Sequence, residues 1–371
     1  MTERLDIDLE HINQSIADRS DVFYWQTDRA VDPATAGQIW ADRHRYFTDD
    51  ELVVRVNEAL GDNRLQTVEP LDPEAQTNLG NVNSVRTGVL ESGQEVIIRS
   101  HPKGIVNGYF HAEAEAARRA NEAGLPSYQT LAIHDYEGGD DFAFQVIDKL
   151  RGSAVQKWLE AHSNDEPQLL RAMGAMMARV HQVQIDDGFG PFDNERAKQG
   201  ELVGLHGTFA EAVRAGLDFN LSVLEHEGIL TSGQVAAADK LFSLDNPLLR
   251  ADKPVLVHND FADWNVLTDG ESITGVLDWD ECVGGTAVSD IACWSTFFEP
   301  ERLSNFLDGY WSVADKPADF EATFELLRLR YTLSKMTLRI RRYSWEPSDV
   351  IRQRIENGKA HLAASFDYFN L

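Results

Sequence analysis

The sequence predicts an α+β protein of two lobes, a small strand-rich N-terminal lobe followed by a larger, mostly helical C-terminal lobe. Three observations carry this. The chain has 371 residues and 41.6 kDa, more than one ordinary hydrophobic core needs. Short β-branched runs separated by turn signals crowd the stretch 84–147. From about Asp148 the texture changes to helical periodicity, with only short strand-like runs between helices. The expected divisions are therefore 1–47, 48–147 and 148–371.

Residues 1–47 mix acids with an aromatic cluster (Phe23, Tyr24, Trp25, Trp40, Tyr46 and Phe47), which reads as an appendage packed on the next lobe. Thr48 can cap a helix begun by Asp49, Asp50 and Glu51, and Leu52, Val53, Val56 and Leu60 give it an apolar stripe before Gly61. Stretches 84–90 and 95–99 flank a turn and read as a hairpin. An Ala- and Glu-rich helix over 109–123 stops at Gly124-Leu125-Pro126. A second strand pair follows at 130–136 and 141–147.

In the second lobe, 155–161 and 169–183 read as helices, the latter with Met173, Met176, Met177 and Val180 on one side. Gly188-Phe189-Gly190-Pro191 then breaks the chain. Helices are expected at 209–228 and 232–244, short strands at 255–257, 265–267 and 273–277, and a long helix at 320–343. There is no internal repeat.

Composition narrows the function. With Lys+Arg at 34 against Asp+Glu at 61, the formal charge is −27, which repels nucleic-acid phosphates and anionic lipid. The two cysteines, Cys282 and Cys293, lack the spacing of a metal or redox motif and read as buried thiols. No basic segment leading into an apolar stretch opens the chain, and no apolar run approaches the ~18 residues that span a bilayer. A cytoplasmic protein is expected, without membrane or nucleic-acid partners. The basic cluster Arg328, Arg330, Lys335, Arg339, Arg341 and Arg342 alternates with Leu326, Leu329, Leu333, Met336 and Ile340, and reads as the solvated side of an amphipathic helix.

The informative segment is VLVHNDFADWNVLTDGESITGVLDWDECVGG, residues 255–285. An apolar run delivers His258-Asn259-Asp260 to a strand end, Asn265 opens a second strand five residues later, and Asp278 ends a third strand thirteen beyond that. The chain reverses at Asp269-Gly270, so these oxygen-bearing side chains can face one cleft. An amide and a carboxylate suit magnesium and leave coordination sites open for water and phosphates, while a separate carboxylate can take the proton of an attacking hydroxyl.

His258-x-Asp260-x-x-x-x-Asn265 followed by Asp278 resembles the catalytic and metal motifs of the aminoglycoside phosphotransferase family, which includes choline kinase-like members and is related to the protein kinases. Gly188-Phe189-Gly190-Pro191-Phe192 and Val276-Leu277-Asp278-Trp279 look like its hygromycin B phosphotransferase branch in particular. The resemblance implies a bilobal protein-kinase-like fold over roughly 50–345, with 48–147 binding nucleotide and 148–371 holding the catalytic and acceptor sites. It also implies a Mg2+-dependent kinase that uses ATP or GTP and modifies an aminoglycoside-like or aminocyclitol-like hydroxyl, as a monomer or homodimer. In this reading Asp260 is the catalytic base, Asn265 and Asp278 are metal ligands, and His258 and Asp290 are structural supports.

Two departures accompany the resemblance. No lysine precedes Lys103, so Arg99 in Val96-Ile97-Ile98-Arg99 stands as the phosphate-binding base, with Glu113 or Glu115 as its partner. In place of a glycine-rich loop stands Gly80-Asn81-Val82-Asn83-Ser84, where Asn83 or Ser84 can bond phosphate. The base would meet main-chain groups of the crossing segment from Asp148 to Leu150. Glu211, Asp218, Glu225, Glu281 and Glu299 would suit a cationic acceptor. Amino sugars, sugars and choline are further acceptor classes. Two other readings compete: a non-catalytic nucleotide-binding module, motivated by the missing lysine and glycines, and a metal-dependent phosphohydrolase with His258, Asp260, Asp278 and Asp280 as ligands.

Overall fold

Thr48 caps the first described helix, α1 (Asp49–Leu60), through a reciprocal box: its hydroxyl accepts from the Glu51 N–H at 3.2 Å, and the Glu51 carboxylate accepts from the Thr48 N–H at 2.7 Å. The computed structural model describes residues 48–71, 83–101, 108–139, 141–298, 300–345 and 347–371, without the side chains at 341 and 345. The expected appendage 1–47, the loop residues Gly80, Asn81 and Val82, Lys103, Glu299 and the Arg341 side chain lie outside the described residues.

Strands β1 (Leu65–Pro70), β2 (Ser84–Leu90), β3 (Glu95–Ser100), β4 (Thr130–His134) and β5 (Phe144–Asp148) form one antiparallel sheet in the order β1-β2-β3-β5-β4. Leu52 and Val56 of α1 pack on Val96, Ile98, Phe144 and Val146 of this sheet. The hairpin of β2 and β3 stands where the β-branched runs put it. β1 escaped prediction because an edge strand with one fully buried position, ending in Pro70, gives little alternation to read.

Helix α2 (Phe110–Glu122) ends before Gly124, whose φ of 79° reverses the chain. Its alanine face, Ala112, Ala116, Ala117 and Ala120, belongs to the core of the second lobe. The helix therefore carries Glu113 at the junction between the lobes.

The C-terminal region is mostly helical: α3 (Val155–Ala161), α4 (Glu166–Val180), α5 (Asn194–Ala197), α6 (Phe209–Arg214), α7 (Leu217–His226), α8 (Ser232–Leu241), α9 (Ala287–Ser295), α10 (Glu301–Tyr310), α11 (Phe320–Trp345) and α12 (Asp349–Tyr368). Two small sheets interrupt it. One joins β6 (Ser153–Ala154), β10 (Val266–Thr268) and β11 (Ile273–Val276). The other joins β7 (Phe189–Phe192), β8 (Gly204–His206), β9 (Val255–Val257) and β12 (Val283–Gly285).

Two expectations are corrected by the structure, and one helix is added. Gly188–Pro191 does not simply break the chain; Phe189–Phe192 is the fully buried strand β7, paired with β12 and β8. The expected single helix over 209–228 is two helices, because Gly216 takes a left-handed φ of 67°. The helix α12 went unread, although Ser348, whose hydroxyl accepts from the Ile351 N–H, was a cap signal for it. Among the described residues no helix is long and apolar enough to cross a membrane.

Candidate active site

Strand β9 ends at Val257, and the chain turns through His258-Asn259-Asp260 with Asn259 at a left-handed φ of 66°. A non-glycine residue in that region is strained and must be held. Asp290 of α9 holds it: its carboxylate accepts from the His258 N–H at 2.9 Å and the Asn259 N–H at 3.0 Å. His181 Nε2 lies 3.1 Å from the same carboxylate, and His181 Nδ1 lies 2.7 Å from the Tyr310 hydroxyl. Burial would raise the Asp290 carboxyl, but the His181 hydrogen bond and the neighbouring charges hold it below its ordinary value.

His258 locks the turn from the other side. Its Nε2 donates to the Leu277 carbonyl at 2.9 Å, so its Nδ1 is the acceptor for the Asp260 N–H at 3.3 Å. Burial keeps the ring below its ordinary pKa, in line with a neutral imidazole. Asn265, five residues past Asp260, donates through Nδ2 to the Asp260 carbonyl at 3.0 Å and to its Oδ2 at 2.7 Å. Burial and the nearby Glu281 push the Asp260 carboxyl well up, against the pull of Lys335.

Hairpin β10–β11 turns at Asp269-Gly270 and delivers Asp278, itself at a left-handed φ of 61°. Asp278 Oδ1 accepts from Arg99 Nη2 at 2.6 Å, while Arg99 Nη1 donates to Glu113 Oε1. The Tyr128 hydroxyl donates to the same Glu113 oxygen, and Asp280 lies 3.6 Å from Arg99. Burial pushes the Glu113 carboxyl up, and Arg99 beside it offsets part of that rise. Glu115 turns instead to Arg118 and Arg119, as a residue two positions along a helix must.

Asp260, Asn265, Asp278 and Arg99 line one cleft of about 680 Å³, together with the apolar Val85, Ile97, Ile147 and Leu277. Asn83 lines it too, its amide 3.1 Å from the Tyr109 hydroxyl. The rest of the expected set sits elsewhere. The Ser84 hydroxyl accepts from Arg86, which also reaches Asp49, so this side chain is spent inside the sheet. The Asp148 carboxylate accepts from the Gln129 N–H at 2.5 Å and Leu150 packs on the second-lobe core, and neither is among the residues that line the cleft.

Of the acids expected to meet an acceptor, Glu281 lines the cleft. Glu211 closes the α6 cap, Asp218 pairs with Arg214 at 2.9 Å, and Glu225 accepts from Ser232 at 2.5 Å. The basic cluster is also not a solvated stripe. Arg330 is buried against the Val213 carbonyl and Asn220, Arg328 pairs with Glu325 at 2.7 Å, and Lys335, Arg339 and Arg342 line the cleft with Arg354 of α12. Spacings of four and three residues put 335, 339 and 342 on one helix face, which was the signal available. Tyr128 and His181 had no local signal, since their partners lie far away in sequence.

Residues 76–324 match the family model described as a phosphotransferase enzyme family. The chain belongs to this family. Hygromycin-B 4-O-kinase of Escherichia coli is 25% identical over 189 residues, 49% of this chain and 51% of that protein, so the match spans about half the length of that relative. Solved structures share the fold. A thermostable mutant of aminoglycoside phosphotransferase APH(4)-Ia, in a ternary complex with AMP-PNP and hygromycin B, aligns with a TM-score of 0.59 and 17% identity over 85% of this chain and 97% of that one. A candidate fructosamine-3-kinase from Thermobifida fusca YX-ER1 aligns with a TM-score of 0.59 and 18% identity over 85% and 100% of the two chains. The phosphotransferase fold thus accommodates both lobes, and the motif of 258–278 falls within the matched span.

The donor set suits a hard cation. Asn265 gives its amide nitrogen to Asp260, which leaves Oδ1 as its remaining donor, and Asp278 gives Oδ1 to Arg99, which leaves Oδ2. Two oxygen donors at a cleft fit magnesium, which keeps most of its octahedron for water and phosphate. Among the described residues there is no group of three or more His, Cys, Asp and Glu side chains placed to form a closed metal cage.

Proposed function

We propose that this phosphotransferase family member is a kinase that moves the terminal phosphoryl group of ATP or GTP to a hydroxyl of a small molecule. The observation that carries the reading is the Asn265 to Asp260 hydrogen bond of 2.7 Å, in one cleft with Asp278 and the Arg99–Glu113 pair. It fixes the base carboxylate while leaving amide and carboxylate oxygens for a cation.

In this mechanism Asp260 accepts the hydrogen bond of the acceptor hydroxyl, aims it, and takes its proton as the new P–O bond forms. Asn265 holds that carboxylate in place through Nδ2. Arg99, oriented by Glu113 and Tyr128, supplies a fork of donors for phosphate oxygens, a role that Arg fills without a lysine. Asn265 and Asp278 would hold Mg2+, which neutralises charge on the transferred group. Asn83 stands at the cleft as a further phosphate donor, and the main chain from Asp148 to Leu150 receives the base. Asp290 and His258 act on the turn and not on substrate.

The hydrolase alternative is weakened by His258, both of whose ring nitrogens are already hydrogen-bonded. A hygromycin-type aminocyclitol acceptor is supported by the relatives alone. A kinase assay with ATP and GTP against aminoglycosides, aminocyclitols, sugars, amino sugars and choline tests the reading. The expected result is ADP or GDP release that needs both an acceptor and magnesium. Asp278→Ala should weaken Mg-nucleotide binding by about 10-fold or more, read by thermal-shift titration, and an unchanged titration would remove Asp278 from the metal site.

A further inference from the structure

We propose that the acceptor carries an anionic group, a carboxylate or a phosphate, close to the hydroxyl it offers to Asp260. The inference rests on the kinase reading above for the role of Asp260. It comes from one wall of the cleft. Lys335, Arg339 and Arg342 project from a single face of α11, and Arg354 joins them from α12; the other residues of these helices that line the cleft, Leu338 and Ile351, are apolar. The acids of the cleft, Asp260, Asp278, Asp280 and Glu281, all stand on loops that follow β9 and β11.

Three of these cations, Lys335, Arg339 and Arg354, are held by rings and carbonyls. Lys335 is 8% exposed, its ammonium lies 3.7 Å from the centre of the Phe297 ring, and among the described residues no carboxylate comes within 4 Å of it. Arg339 donates to the Arg354 carbonyl at 3.1 Å and the Thr296 carbonyl at 3.5 Å, and the Arg354 guanidinium stacks over Trp264 at 5.8 Å. Burial and the neighbouring Arg354 bring Arg339 down to about 10, and burial with Arg342 lowers Arg354. For Arg339 these are the marks of a cation crowded by its neighbours in a poorly solvated place.

Such an arrangement is unfavourable unless something negative completes it. In a chain with 61 acids and 34 bases, a wall that gathers four cations is also the reverse of the average surface. The wall sits beside the reacting carboxylate, since Lys335 and Arg354 both interact electrostatically with Asp260. A guanidinium fork and an ammonium over aromatic rings suit a carboxylate or phosphate on a molecule whose apolar part meets Trp264 and Phe297. A polycation such as an aminoglycoside would be repelled by the same wall.

The test uses the full-length protein with Mg·ATP and matched acceptors: glucose against glucose 6-phosphate, glucose against gluconate, ethanolamine against serine, with hygromycin B as the polycation. Nucleotide binding and slow acceptor-free ATP hydrolysis are measured alongside. The expected result is a kcat/KM at least about tenfold higher for the anionic member of a pair. Lys335→Met should then raise the KM for that acceptor about tenfold, with the nucleotide KM moving by less than about twofold. Arg354→Gln, at an exposed position, should act in the same direction and guards against a folding defect. Preference for the neutral member or for hygromycin B, turnover of no acceptor while ATP is bound and hydrolysed, or a Lys335→Met effect on nucleotide KM alone each overturns the inference and leaves the kinase reading standing. Absence of both nucleotide binding and hydrolysis overturns the kinase reading, and the inference with it.

Discussion

Two buried basic positions in the same cleft are built in opposite ways. Arg99 on β3 is clasped by Glu113, Asp278 and Tyr128, a set brought together from the sheet, α2 and the loop after β11. Lys335 on α11 has an aromatic ring where a carboxylate would stabilise it. The first is a cation whose orientation is prepaid by protein partners, and the second is a cation waiting for one. The difference separates a group that must keep one geometry from a group whose counter-charge arrives with substrate.

The comparison is most sharply broken by deleting each cation. Arg99→Ala leaves Glu113 buried beside Asp278 without its guanidinium and should destabilise the fold by ~3–5 kcal/mol, read by denaturant unfolding. It should also raise the nucleotide KM. Removing the clasp elsewhere has a smaller effect: Asp290→Ala, which frees the His258 and Asn259 N–H groups, should lose ~2–3 kcal/mol. Because the Asp290 carboxyl is held below its ordinary value, its contribution is present above an unfolded pKa of about 4 and is lost as pH falls through the lower folded value. Thermal unfolding between about pH 6 and pH 3 should therefore fall less steeply in Asp290→Asn than in the parent protein.

Lys335→Met stands at the other pole. It removes a buried ammonium that has no carboxylate within 4 Å among the described residues, so the melting temperature should stay level or rise, even as the KM for the acceptor increases. A clear loss of stability would mean that Lys335 is structural. The smallest effect belongs to the acids on α6 and α7: Glu211→Gln and Asp218→Asn, outside the cleft, should leave the acceptor KM within about twofold.

What was readable in the sequence follows from the range over which each partner acts. Asp260, Asn265 and Asp278 share one short segment whose turn chemistry at Asp269-Gly270 folds it back on itself, so their spacing was enough to place them together. Thr48, Gly124 and the β-branched run at 96–98 likewise announce local structure. Glu113 and Glu115 could not be separated until the helix phase relative to β3 was fixed. The Ser84 hydroxyl is engaged by Arg86 on the same face of β2, which nothing in its neighbourhood signals. The α11 wall was legible as a helix and illegible as a site: a basic stripe looks the same whether it faces water or a cleft, and α12 and Trp264 decide which.

The most direct test of phosphoryl transfer through this cleft is single-turnover transfer by Asp260→Asn, with the acceptor consumed fastest by the parent protein and with Mg-nucleotide affinity measured in parallel. The rate should fall by about 10²–10⁴-fold while nucleotide affinity stays within about threefold, because the change removes the proton acceptor and leaves the phosphate grip intact. Transfer at the parental rate would contradict the assignment of Asp260 as the base.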